Sequence, residues 1–91
     1  MRNGLVIGRT GSHSWFYNDQ LHRADDSPAY EYNGDKWWYQ YGKRHRHVGP
    51  AVNYGSIVLR WFRWFVNGSE YTEDEFNNHN MVLMYRFING Q

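Results

Sequence analysis

The chain contains no cysteine, only two prolines and almost no net charge. The lack of cysteine excludes kinds of cross-link, and the lack of net charge excludes a general attraction to charged partners. Without cysteine, neither a disulfide nor a thiolate metal site can hold the fold together, so a hydrophobic core or a partner chain must do so. The formal net charge of +1 provides no general attraction toward nucleic acid or membrane surfaces. With 91 residues the chain is too short for two independent cores, and we expect a single domain over residues 1–91.

Long apolar segments are also missing. No run approaches the length of a transmembrane helix, and residues 1–11 lack the apolar stretch of a secretory signal peptide. The absence of cysteine is compatible with a reducing compartment. We therefore expect a soluble, cytoplasmic protein.

Aromatic rings are what the chain has in abundance. Aromatic residues make up 20% of the sequence and all hydrophobic residues 41%, so aliphatic side chains are sparse and the core should consist largely of flat rings. Trp61, Phe62, Trp64 and Phe65 lie so close together that they must occupy both faces of a strand. A thin sheet cannot bury all of them, and we expect some of these rings to contact a partner, either a target protein or a second copy of the chain.

A segment rich in these rings is repeated. Residues 15–23 (WFYNDQLHR) and 38–46 (WYQYGKRHR) share one pattern, and each is followed by a Pro-Ala pair and an aromatic strand. The tryptophans that open the two copies are 23 positions apart, as are the histidines near their ends. Self-similarity at a fixed period indicates a repeat architecture. We assign repeat 1 to about 15–34, repeat 2 to about 38–56 and a degenerate terminal unit to about 64–80.

The repeats predict a mainly β fold, an antiparallel meander of hairpins with a short helix near the C-terminus. The hairpins turn at Asn18-Asp19, Tyr41-Gly42 and Asn67-Gly68. Only Asn67-Gly68 is a strong type I′ signature, because both central residues of that turn need a positive φ. A leading strand at 5–7 and a long strand at 57–66 complete the predicted sheet.

Side chains in a strand alternate between faces, so equivalent positions in successive repeats should face the same way. This gives a sheet with apolar residues on one face and polar residues on the other. The predicted rows are Trp15, Trp38 and Trp64; Tyr30 and Val52; Tyr32 and Tyr54; and, on the opposite face from these tyrosines, Glu31 and Asn53.

The terminal unit departs from the pattern after Ser69. Thr72-Glu73-Asp74-Glu75 has the form of a capping box, and acidic residues suit the positive end of a helix. We expect a helix from Glu73 to about His79 with Phe76 facing inward, with a docking patch as the alternative role for the acidic run. Residues 81–88 are then predicted to form a last strand.

These residues resemble a known repeat, Trp-(Trp/Tyr)-x-Asn-Gly-x-x-His-Arg-x-Asp-Gly-Pro-Ala, which occurs in tandem in small proteins of bacteriophages, large DNA viruses and bacteria. It looks like the MORN and YwqK-type antitoxin repeats, whose units are β-hairpins. The resemblance covers roughly residues 15–76 and departs at the inserted residue in Asp25-Asp26 and at Val48, where the motif has Asp. It implies a β-repeat protein that is encoded by a phage and acts in the host cytoplasm, and it carries over no catalytic residue.

The recurring His-Arg pairs have two interpretations. His22 and His45 occupy equivalent positions in the two repeats and could be stacked metal ligands, with His47 on the same strand face as His45, although a metal site needs three or four ligands. We expect instead that each pair holds the proline loop of its own copy through loop carbonyls or carboxylates such as Asp25, and that the chain binds no metal and no cofactor. The residues assigned this structural role in the repeat are Trp15, His22, Arg23, Pro28, Trp38, His45, Arg46, Pro50 and Trp64.

No pattern in the sequence indicates a reaction centre, since no serine lies in a nucleophile elbow and no glycine-rich loop enters a helix. We expect a small non-catalytic protein-binding module, plausibly a phage accessory protein that engages or inhibits a host defence factor. The alternatives are single-stranded nucleic-acid binding by the basic and aromatic second repeat, sugar stacking, and homodimerisation through the long strand. The predicted partner-binding residues are Trp37, Arg44, Arg46, Trp61, Phe62 and Arg63.

Overall fold

The computed structural model of the chain describes residues 2–55 and 62–88. Ten strands and two helices follow one another in this part of the chain. They are β1 (Gly4–Ile7), β2 (His13–Tyr17), β3 (Gln20–Leu21), β4 (Tyr30–Tyr32), β5 (Asp35–Trp37), β6 (Tyr39–Gln40), β7 (Lys43–Arg44), β8 (Val52–Asn53), β9 (Phe62–Val66), β10 (Ser69–Tyr71), α1 (Glu73–Asn77) and α2 (Asn80–Ile88).

The strands form an antiparallel sheet in the order β1-β2-β4-β5-β8-β9-β10, with β3 paired to β2 and the β6-β7 hairpin beside it. Strands that are neighbours in this order are also close in sequence, so the predicted antiparallel meander is confirmed. The predicted leading strand is β1. Of the predicted long strand, residues 62–66 form β9, and residues 57–61 lie outside the described part of the chain.

One strand of each hairpin pairs both with the main sheet and with the returning strand of its own hairpin. The first half of β2 pairs with β4, and its second half folds back onto β3. In the second copy the same strand is divided at Trp38: β5 pairs with β4 and β8, and β6 folds back onto β7. β9 pairs in the same way with β8 and then β10. The hairpins therefore project from the main sheet at equivalent places.

All three predicted hairpin turns have a positive φ at both central residues, not only the Asn67-Gly68 turn. Asn18 and Asp19 tolerate this conformation because their short polar side chains hydrogen-bond locally. Tyr41, with a φ of 49°, is a bulky residue in the left-handed region, which costs about 1 kcal/mol. The surrounding structure must therefore stabilise this turn.

The strand register confirms two of the predicted rows, that of Tyr30 with Val52 and that of Glu31 with Asn53. Trp37 lies opposite Tyr30 on one neighbouring strand and Val52 on the other, so these three residues share a face. Lys36 lies opposite Glu31 and Asn53 on the other face. Equivalent backbone bonds recur as well, because the N–H of Trp15 donates to Ala29 O and that of Trp38 to Ala51 O, both at 2.8 Å.

The buried residues form two clusters. The first contains Trp38, Ala51, Val52 and Phe65, with Trp37 and Tyr54 packed against it. The second joins β9 to the helices through Val66, Phe76 and Val82, with Trp64 and Tyr71 at its margin. As expected, rings supply most of the volume.

The C-terminal part confirms one prediction and contradicts another. α1 begins with the predicted capping box, in which the Thr72 hydroxyl accepts from the Glu75 N–H and the Glu75 carboxylate accepts from the Thr72 N–H. Phe76 is fully buried, as predicted. The predicted last strand at 81–88 is wrong, since these residues belong to α2. The run is almost continuously apolar, so its periodicity does not separate a strand from a helix, and Met and Leu favour a helix once Val82 is anchored in the core.

Within residues 2–55 and 62–88, neither helix has the length and apolar character needed to cross a bilayer.

Candidate interaction surfaces

An arginine covers a tryptophan in each of the two full repeats. The guanidinium of Arg23 lies 3.8 Å from the centre of the Trp15 ring and donates to Pro28 O at 3.2 Å. In the next repeat Arg46 lies 3.9 Å from the Trp38 ring and donates to Pro50 O at 3.1 Å. A planar guanidinium combines stacking with directed hydrogen bonds, so each arginine joins its hairpin strand to the proline loop of the same copy.

The histidines contact the following repeat instead of their own loop. His22 Nδ1 accepts a hydrogen bond from the Tyr41 N–H at 3.1 Å, and His45 Nδ1 accepts one from the Asn67 N–H at 2.8 Å. Both donors belong to the next hairpin turn. The expected histidine contact with the proline loop is therefore not the one found, because backbone pairing directs each ring toward the next turn. The Tyr41 turn gains both this bond and a ring contact with His22 at 4.3 Å.

The loop with the inserted residue connects the first two repeats. The Asp26 carboxylate accepts from Arg46 Nε at 2.8 Å and from Arg46 Nη2 at 3.1 Å, and Asp26 O accepts from Trp38 Nε1 at 3.0 Å. Such a bidentate pair fixes both position and orientation. The carboxylate that meets the arginine belongs to Asp26, whereas the sequence pointed to Asp25.

An open groove of about 660 Å³ lies beside this connection. Its walls include the 24–26 loop, the segment 45–48 and Tyr85 of α2. Inside it, the Nε2 atoms of His45 and His47 are 3.1 Å apart, and the His47 ring stacks on Tyr85 with the planes inclined by 12°. Since His45 Nδ1 already accepts a hydrogen bond, its proton lies on Nε2, which donates to His47.

Burial shifts both histidines toward the neutral form. Desolvation, and then the nearby His47, lower the pKa of His45 from 6.5 to about 4. The pKa of His47 is also lowered, first by burial and then by His79, although Asp26 opposes this shift. His45 is therefore neutral near pH 7, and its ring connects the Asn67 N–H to His47.

The residues predicted to bind a partner are distributed over several environments. Trp37 lies half-buried between the rings of Tyr30 and Tyr54, and Phe62 is exposed. Trp61 lies outside the described residues. The three arginines all have contacts within the chain: Arg44 lies near Phe65, Arg46 binds Asp26, and Arg63 forms a bidentate pair with Glu70.

Arg63 and Glu70 also affect each other's titration. The hydrogen bonds from Arg63 lower the pKa of the Glu70 carboxyl, and those to Glu70 raise the pKa of Arg63. The pair is exposed, so it orients the two side chains more than it stabilises the fold.

The structure presents a surface that sequence reasoning missed. Four apolar residues of α2 form a stripe that faces away from the rest of the described chain, which we call the α2 stripe: Leu83, Met84, Phe87 and Ile88. Phe87 is 87% exposed and Ile88 is 75% exposed. The strand prediction concealed this surface, although spacings of three and four residues were visible in the sequence.

Among residues 2–55 and 62–88, no group of three or more histidine, aspartate or glutamate side chains could hold a metal ion. Comparison of the chain with protein-family models, with curated proteins and with solved structures found no match.

Proposed function

We propose that this chain is a small non-catalytic protein-binding module that uses the α2 stripe as its contact surface. The observation that carries the proposal is the outward exposure of four large apolar side chains on one side of a helix. Single exposed apolar residues are ordinary on protein surfaces, whereas a contiguous apolar stripe is typical of an interaction site.

The rest of the helix holds the stripe in position. On the inner side Val82 is fully buried, and Tyr85 stacks on His47. Arg86 Nη2 donates to Asn77 Oδ1 at 2.8 Å, which ties α2 to α1. A helix with three anchors on one side presents its other side in a fixed orientation, and this lowers the entropy lost on binding.

The partner that fits this surface is a protein with an apolar groove. A helix that presents apolar residues at spacings of one, three and four binds such grooves through side-chain anchors. Together with the resemblance to repeat proteins of phages and large DNA viruses, this supports a phage accessory protein that engages or inhibits a host factor.

Single-stranded nucleic-acid binding has less support. It would use the basic run of the second repeat, but Arg46 already donates to Asp26 and Pro50 and covers Trp38. Arg44 lies 5.3 Å from the Phe65 ring centre, and Trp38 is buried. A phosphate would have to displace these contacts, and a base would find no free face on Trp38.

Affinity capture with quantitative mass spectrometry tests the proposal. The tagged chain is compared with a Met84→Glu/Phe87→Glu variant in a bacterial lysate, and the captured protein is then purified and titrated. We expect the double variant to weaken binding by at least about tenfold, because two carboxylates would be buried in an apolar contact.

A Thr10→Glu/Gln20→Glu variant is the control, since it adds the same charge at two exposed positions outside α2. It should bind like the unmodified chain. If the purified partner binds all three proteins equally, or if no protein is enriched over the double variant, the α2 stripe is not the contact surface. A Phe62→Ser variant tests in the same assay the surface predicted from sequence.

A further inference from the structure

The strand at the N-terminal end of the sheet order, β1, offers a second surface, which is independent of α2. β1 pairs with β2 on one side, and its other side carries no strand among the described residues. Its three apolar side chains are all exposed, Ile7 by 62%. Natural proteins usually protect such an edge with a charge, a proline or a bulge, and β1 contains none of these.

The backbone bonds show which groups of β1 face outward. The Trp15 N–H donates to Ala29 O, and the Trp15 C=O accepts from the His22 N–H. Both groups therefore point away from Leu5, which lies opposite Trp15 in β1. The backbone hydrogen bonds with β2 are then made by Gly4 and Val6, because the N–H and C=O groups of alternate residues in an antiparallel strand point to opposite edges. Gly8, whose N–H donates to Ser12 O, fits the same alternation. The N–H and C=O groups of Leu5 and Ile7 consequently point to the free edge.

We propose that β1 is a self-association edge, at which two copies of the chain pair antiparallel with Val6 opposite Val6 of the second copy. In this register the outward groups of Leu5 meet those of Ile7 in the second copy, so all three apolar residues face apolar residues. A shift by one residue would place the outward N–H and C=O groups of one copy opposite residues of the other copy whose groups point to β2. The alternation therefore excludes that register.

Charge is compatible with this register. The register pairs only uncharged residues, because Gly4–Ile7 carries no charge and Arg9 lies in the turn that leads to β2, where the Gly11 N–H donates to Gly8 O. Arg2 is also paired with Asp19 in its own chain.

The predicted homodimer thus uses a different strand from the one expected. β9, the described part of the long strand, lies between β8 and β10 in the sheet order, whereas β1 is at one end of it. Because the contact involves one short strand from each copy, it is smaller than a stable interface, and the dimer should be weak and concentration-dependent.

The experiment exploits the absence of cysteine. Three single-cysteine variants, Leu5→Cys, Val6→Cys and Ile7→Cys, are oxidised mildly and the rate of disulfide-linked dimer formation is measured. Directly opposed residues in a non-hydrogen-bonded antiparallel pair are close enough for a disulfide, so Val6→Cys should cross-link at least about tenfold faster than the other two.

Sedimentation and amide exchange from about 10 μM to about 1 mM give the second measurement. The amides of Leu5 and Ile7 should become protected as concentration rises, whereas the Val6 amide should be protected throughout. Val6→Lys should abolish the dimer, and Met84→Glu should leave it unchanged.

Equal cross-linking rates for the three cysteines would overturn the proposal, as would a dimer that survives Val6→Lys and is lost in Met84→Glu. A chain that stays monomeric at every concentration would also overturn it, and would leave the β1 edge to an extended segment of another protein.

Discussion

Acidification should weaken the fold through His45, the one buried polar side chain among the described residues. Its ring joins the second repeat to the terminal unit, because Nδ1 accepts from the Asn67 N–H and Nε2 faces His47. Protonation would put a second hydrogen on the ring, which would remove the acceptor for Asn67. The charged form is also disfavoured by burial and by His47, which in turn faces His79 and Asp26.

The magnitude follows from proton linkage. The pKa of His45 is lowered from 6.5 in the unfolded chain to about 4 in the folded chain. Between these values the unfolded chain binds a proton that the folded chain does not, so stability is fully present above pH 6.5 and declines as the pH falls. The expected loss of unfolding free energy is about 2 kcal/mol between about pH 7.5 and pH 5, and about 3 kcal/mol by about pH 4.

Urea denaturation followed by tryptophan fluorescence measures this loss, provided that unfolding is two-state at each pH. A His45→Asn variant separates the histidine from carboxylates that titrate in the same range. Asparagine Oδ1 can still accept from the Asn67 N–H but does not titrate. The variant should therefore lose about 2 kcal/mol less unfolding free energy than the unmodified chain when the pH falls to about 5.

A His22→Asn variant provides the matched comparison, since His22 makes the equivalent contact with Tyr41 in the first repeat but is only half-buried. The reasoning fails if the unmodified chain is equally stable at both pH values. It fails equally if His45→Asn has the same pH dependence as the unmodified chain.

Three further predictions concern single positions. Tyr41→Asn should be more stable than Tyr41→Ala by about 1 kcal/mol, because both lose the ring but only asparagine tolerates a positive φ, and equal urea midpoints would contradict this. Gly55→Ala should cost more than about 2 kcal/mol, because the new Cβ would lie 2.1 Å from Gly34 O. Gly34→Ala, which meets no atom within 4 Å, should cost only the backbone strain of about 1 kcal/mol, and thermal unfolding of both variants checks the difference. Phe76→Ala should lose about 3–5 kcal/mol by removing a fully buried ring, and a loss below about 1 kcal/mol would show that the second cluster does not hold the helices.

Much of the local structure was predictable because its causes are local. The hairpin turns and the Thr72–Glu75 capping box depend on residues within a few positions of one another, and the fixed spacing of the repeats placed Trp15 and Trp38 in equivalent backbone environments. The turn at Tyr41 was less predictable. Tyr41 disfavours a positive φ, and the compensating bond comes from His22, which is distant in sequence.

The candidate surface was the least predictable feature. Residues 81–88 are apolar without a decisive period, so a strand and a helix were both compatible with the sequence. Their conformation depends on Val82 entering the cluster of Phe76 and Val66, and on Tyr85 meeting His47. Both contacts connect parts of the chain that no short pattern links.

By itself, the sequence determined the repeated hairpin, the direction of its side chains and the start of α1, because these depend on spacing, turn residues and capping. Only the tertiary structure decided that α2 is a helix, that each histidine serves the next repeat, and that Asp26 meets Arg46. The physical reason is that burial and long-range hydrogen bonds choose among conformations that are close in local free energy.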